Sequence, residues 1–87
     1  MSNLSMSKLA TMVVSFGKDG RPNDSFASIS ETEEKAKERF EMIKRSVAGE
    51  GYKNWGSKNR IELVENAKQN GYPLRVYLVA ITDEFEA

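Results

Sequence analysis

The segment Leu74-Arg-Val-Tyr-Leu-Val-Ala-Ile-Thr82 constrains this chain more than any other. It is β-branched or aromatic at most positions, which favours an extended backbone. Alternation puts Val76, Leu78 and Ala80 on one face and Tyr77, Val79 and Ile81 on the other. Both faces are apolar, the pattern of a strand covered on two sides, so a central place in a sheet is expected. A chain of 87 residues has material for one hydrophobic core at most. Whatever covers this strand must come from the few remaining segments or from another molecule.

The run Leu9 to Phe16 is the other clear strand, with Ala10, Met12, Val14 and Phe16 on one face. Gly17 to Asp24 is dense in turn formers and predicts a hairpin loop, with Ser25–Ile29 returning as a short strand. Ser30 followed by Glu33 has the spacing of a capping box. Ala36, Phe40, Ile43 and Val47 then form one apolar helical stripe. Glu31–Lys35, Glu33–Lys37 and Glu41–Arg45 are i,i+4 pairs, each worth about 0.2–0.5 kcal/mol. Gly49 and Gly51 end this helix, and residues 49–59 form a glycine-rich connection carrying Trp55. A second helix is expected from Ser57 or Asn59, with Ile61, Val64 and Ala67 inward and Leu63 beside them. Asn70-Gly71-Tyr72-Pro73 is a stop signal in which Gly71 takes the left-handed conformation.

The expected organisation is a loose arm over residues 1–7 and a single α+β domain over residues 8–87, in the order β-β-α-α-β. Its antiparallel sheet carries two helices packed mainly on one face. Two helices on one side cannot also cover Tyr77, Val79 and Ile81, so either the helices sit on opposite faces or a homodimer or docked partner covers the open side.

The residue inventory narrows the chemistry. There is no histidine and no cysteine, so no imidazole base, thiolate nucleophile or Cys/His zinc site can be built. No phosphate-loop, dinucleotide or nucleophile-elbow motif is present, and Gly17-Lys-Asp-Gly20 reads as hairpin chemistry. Glu31, Glu33, Glu34, Glu38 and Glu41 belong to the solvated side of the first helix. Asp83, Glu84 and Glu86 read as a solvated acidic tail rather than a cation site. The expectation is a protein without catalysis, cofactor or metal. The stretch Leu9–Gly17 is too short to span a bilayer, and Met1–Ser7 lacks the charge cluster and apolar run of a secretory leader, so a cytoplasmic protein is expected.

Thirteen basic and 13 acidic side chains cancel, but they are unevenly placed. Between Met42 and Arg60, Lys44, Arg45, Lys53, Lys58 and Arg60 meet a single acid, Glu50. Tyr52 and Trp55 are interleaved among them, and cations with aromatic rings can grip the phosphates and stack on the bases of a single strand. The competing reading is structural: cations suit a helix C-terminus, and aromatic rings cap a core. The second candidate surface is the open sheet face or a dimer interface, where Val13 with Thr11 and Ser15 is expected beside Tyr77, Val79 and Ile81. Apolar groups on an exposed face mark protein contact, and the competing reading is burial within the chain by one helix or the N-terminal arm. The leading expectation is a protein-binding module, a small inhibitor or regulator of a larger complex, including one that handles nucleic acid. The alternative is direct binding of single-stranded nucleic acid through residues 44–60. In size and style the chain is similar to small phage and mobile-element inhibitors such as anti-CRISPRs, with no motif shared.

Overall fold

The computed structural model describes residues 8–87, and the arm expected over residues 1–7 lies outside them. Strand β1, Leu9–Phe16, turns through Gly17–Arg21 into β2, Pro22–Ser30. Gly20 sits at φ 81, the left-handed region open to glycine. The loop is closed by a Gly17 N–H donating to the Arg21 carbonyl at 2.8 Å and by Asp19 Oδ1 accepting from the Arg21 N–H at 3.0 Å. β2 is longer than the expected Ser25–Ile29. A register shift between Ser15 and Phe16 lets Pro22 pair with Phe16. Asn23 and Asp24 are polar, yet they sit comfortably on an edge strand whose side chains are exposed.

Helix α1 spans Glu33–Ala48, and its N-cap is Thr32 rather than Ser30. Ser30 is consumed by β2, where it pairs with Leu9. Thr32 is extended, and its Oγ1 accepts from the Lys35 N–H at 3.2 Å. Ala36, Ile43 and Val47 are buried along the expected stripe, and Phe40 is half-buried. Lys37 pairs with Glu33 at 3.1 Å. Glu41 takes Lys44 at 3.1 Å, and Glu31 lies ahead of the first helical residue, where i,i+4 spacing no longer brings side chains together.

A 3-10 turn, Gly51–Asn54, leads to α2, Lys58–Asn70, capped by Ser57 Oγ accepting from the Arg60 N–H. Leu63, Val64 and Ala67 face inward. Gly71 ends α2 at φ 71, with the Tyr72 N–H donating to the Ala67 carbonyl at 2.8 Å, and β3 follows as Leu74–Ala80. This is the stop signal of the sequence realised as a left-handed C-cap.

The three strands form one antiparallel sheet in the order β2-β1-β3. The central strand is therefore β1, and β3 is an edge, contrary to the expectation for an apolar segment. The hairpin commits one side of β1 to β2, so a strand returning after two helices finds only the other side vacant. Val13, Ile43, Val47, Tyr52, Leu63 and Val64 make the core, with Phe26, Trp55, Ile61, Leu74 and Val76 packed around them. Both helices thus cover the face of β1 that carries Val13.

Register settles which residues share a face, because directly opposed residues point the same way. Val13 opposes Phe26 and Val76. Met12 opposes Ala27 and Tyr77, and Ala10 opposes Ile29 and Val79. Val13 therefore does not lie beside Tyr77, Val79 and Ile81 as expected. It is fully buried on the opposite face, one residue out of phase with them. No helix among the described residues is long and apolar enough to cross a membrane.

Candidate interaction surface

The basic segment is dispersed by the fold. Tyr52 is buried, with 3% of its surface exposed, and its hydroxyl donates to Glu65. That hydrogen bond, then burial and the negative charges of Glu65 and Glu50, pushes the phenol up to about 12. Lys68 Nζ lies 5.0 Å from the centre of the Tyr52 ring. Trp55 meets Phe26 edge-on at 5.6 Å and Tyr52 at 6.3 Å. Arg60 sits 4.7 Å from the Phe26 ring centre and donates to the Ala27 carbonyl at 3.0 Å. Tyr52, Trp55, Phe26 and Arg60 thus seal one end of the core and tie α2 to the edge of β2. Lys53 pairs with Glu50 at 3.3 Å, and Lys44 stands 5.1 Å from the Phe40 ring centre while pairing with Glu41. Arg45 and Lys58 are exposed. The aromatic rings point into the core while the cations spread over α1, the 3-10 turn and α2.

A polar cleft of about 640 Å³ lies between the start of β2 and α2. Ser15, Asn23, Asp24, Asn59, Arg60 and Asn66 are among its walls. Nothing in the sequence singles it out, because its residues come from three separated segments with no shared spacing. Its one carboxylate on β2, Asp24, accepts from the Ser25 N–H at 2.8 Å, and Arg60 is already engaged with Phe26 and Ala27. Among the described residues no group of three carboxylates comes together to hold a metal ion.

The uncovered side of the sheet is the less polar feature. β1 contributes Ala10, Met12, Val14 and Phe16; β2 contributes Ala27 and Ile29; β3 contributes Tyr77 and Val79. Ile81 continues the ladder beyond β3, its N–H donating to the Lys8 carbonyl at 3.2 Å. Ala10 and Val14 are shielded by neighbours in the middle of the sheet, whereas Ile29 is 66% and Tyr77 39% exposed. The one charged residue of β3, Arg75, opposes Val14 on this face, with its guanidinium 5.9 Å from the Phe16 ring centre.

β1 is divided against the usual logic. Its covered face carries Leu9, Thr11, Val13 and Ser15, two of them hydroxyl residues, and its other face carries four apolar side chains. Thr11 Oγ1 and Ser15 Oγ are buried and find no hydrogen-bond partner among the described residues. A buried hydroxyl without a partner costs about 1–3 kcal/mol. The more polar face is thus the one under the helices, and the more apolar face is the one that no helix covers. No known family model, no curated protein and no solved structure matches the chain.

Proposed function

We propose that this protein is a non-catalytic binding module that presents the uncovered face of its sheet to a protein partner. The single observation that carries the reading is the inverted division of β1, with Ala10, Met12, Val14 and Phe16 turned away from the helices that bury Thr11 and Ser15. A contiguous apolar surface that the fold leaves uncovered marks a site of contact with another protein. Exposed Ile29 and Tyr77 are the large side chains such a partner would bury, and tyrosine is a frequent anchor of binding energy. Regulation or inhibition of a larger assembly in the cytoplasm is the role we assign to such a module. Direct binding of a single strand draws less support, since Tyr52 is in the core and Trp55 packs on Phe26 rather than standing free to stack.

Affinity capture from the cells that make this protein tests the proposal. The unmodified chain should retain one dominant protein, Ile29→Lys and Tyr77→Lys should each lose it, and Lys53→Glu should keep it. Loss with Lys53→Glu but not with Tyr77→Lys would move the binding site to the basic segment and overturn the reading.

A further inference from the structure

The two edges of the sheet are treated differently. On β1–β3, the Phe16 N–H donates to the Pro73 carbonyl at 2.9 Å, and the Ile81 N–H to the Lys8 carbonyl. These two bonds fix the phase of the ladder, because bonded pairs alternate along antiparallel strands. Arg75, Tyr77 and Val79 turn their amides toward β1. Leu74, Val76, Leu78 and Ala80 turn theirs outward, where no partner meets them among the described residues.

The β2 edge is guarded. It opens with Pro22, Asp24 Oδ1 takes the outward Ser25 N–H, and Arg60 occupies the outward Ala27 carbonyl at 3.0 Å. Proline, charge and a covering side chain are the usual means of stopping a strand from recruiting another. β3 carries no proline, no bulge and no covering side chain among the described residues, and Arg75 is its single charge.

We infer that β3 is a self-pairing edge, through which two copies of this chain join antiparallel about a two-fold axis into one six-stranded sheet. The occupant is a second copy because the edge is its own complement: a strand placed antiparallel to itself about Val76 satisfies the outward amides of Leu74, Val76 and Leu78, and nothing of like charge is opposed. With the axis through Val76, each Arg75 lies opposite the other copy's Tyr77, a cation against an aromatic ring on the open face. The area also fits. Three strands ~4.8 Å apart and ~24 Å long offer ~350 Å², under half of the ~800 Å² that a stable interface takes from each partner. Joining two sheets edge to edge doubles that face to ~700 Å² without covering it. The pairing follows from the edge alone; its value for binding rests on the proposed role of the open face.

Amide exchange followed by NMR on the unmodified protein, with sedimentation on the same samples from micromolar to millimolar, tests the inference. Dimer should accumulate with concentration, and exchange at Val76 and Leu78 should slow by at least about tenfold, while Tyr77 and Val79 stay protected throughout. A monomer at every concentration overturns it, whether Val76 and Leu78 exchange fast or are shielded within the one chain. A dimer in which Val76 and Leu78 still exchange fast also overturns it and places the contact elsewhere. Neither failure touches the open-face reading, which the Ile29→Lys and Tyr77→Lys captures decide separately.

Discussion

The two faces of one strand do opposite work. On the covered face, Val13 is fully buried among Ile43, Val47, Leu63 and Val64, flanked by two hydroxyl residues that gain no hydrogen bond. On the open face, side chains of similar or greater apolar area lie where no helix reaches. The difference teaches that hydrophobicity alone does not choose the face a small sheet buries. Helix stripes and chain connection choose it here, and the apolar surplus stays on the side that no helix covers.

That comparison can be broken from the covered side first. Val13→Ala should lower the unfolding free energy by about 2–3 kcal/mol in urea titration, since a fully buried methyl pair is lost and a cavity remains. A loss under about 0.5 kcal/mol would show that the helices do not rely on this face. Thr11→Val keeps the shape and removes an unpartnered hydroxyl, so stability should rise by about 1–2 kcal/mol. A loss of stability would mean that Thr11 Oγ1 is satisfied and that the covered face is not compromised after all.

Smaller effects sharpen the frame that holds the faces apart. Thr32→Ala should cost about 1 kcal/mol, and Ser30→Ala no more than about 0.5 kcal/mol. The reverse order would restore the cap at Ser30 and shorten β2. The Tyr52 phenol is held protonated by Glu65, up to about 12, against about 10 in the unfolded chain. The stability it contributes is fully present below pH 10 and is lost as pH rises through about 12. Ultraviolet titration should therefore show one tyrosine ionising last, and Tyr52→Phe should remove that late step. The smallest effect belongs to the open face: Tyr77→Lys should change unfolding by no more than about 0.5 kcal/mol, because the site is partly exposed. A loss as large as that of Val13→Ala would show that this face holds the fold together and is not spare surface.

Much of the fold is legible in the residues because local signals agree. Gly71 and Pro73 stop α2 as their chemistry requires, and the stripe of Ala36, Ile43 and Val47 is the one that α1 buries. What misleads is placement, which depends on the whole sheet. Ser30 and Thr32 can both cap a helix, and only the pairing of Ser30 with Leu9 decides between them. β3 is apolar on both faces and so resembles a central strand, yet the hairpin has already taken one side of β1. β1 too can bury either face, so alternation groups its residues correctly without saying which group meets the helices, and it allows Val13 a place beside Tyr77 as readily as one beneath the helices. The basic segment is visible along the chain, but which of its members the core takes is not. In space Tyr52 and Trp55 turn inward, and Arg60 is fastened to Phe26 and Ala27.

The most direct measurement uses light-activated crosslinking in the cells that make the protein. A benzophenone side chain is placed at position 77, on the open face, or at position 53, in the basic segment. The account predicts that position 77 captures one discrete protein partner and that position 53 captures neither that protein nor nucleic acid. Capture from position 53 alone, or of nucleic acid in place of protein, would contradict it.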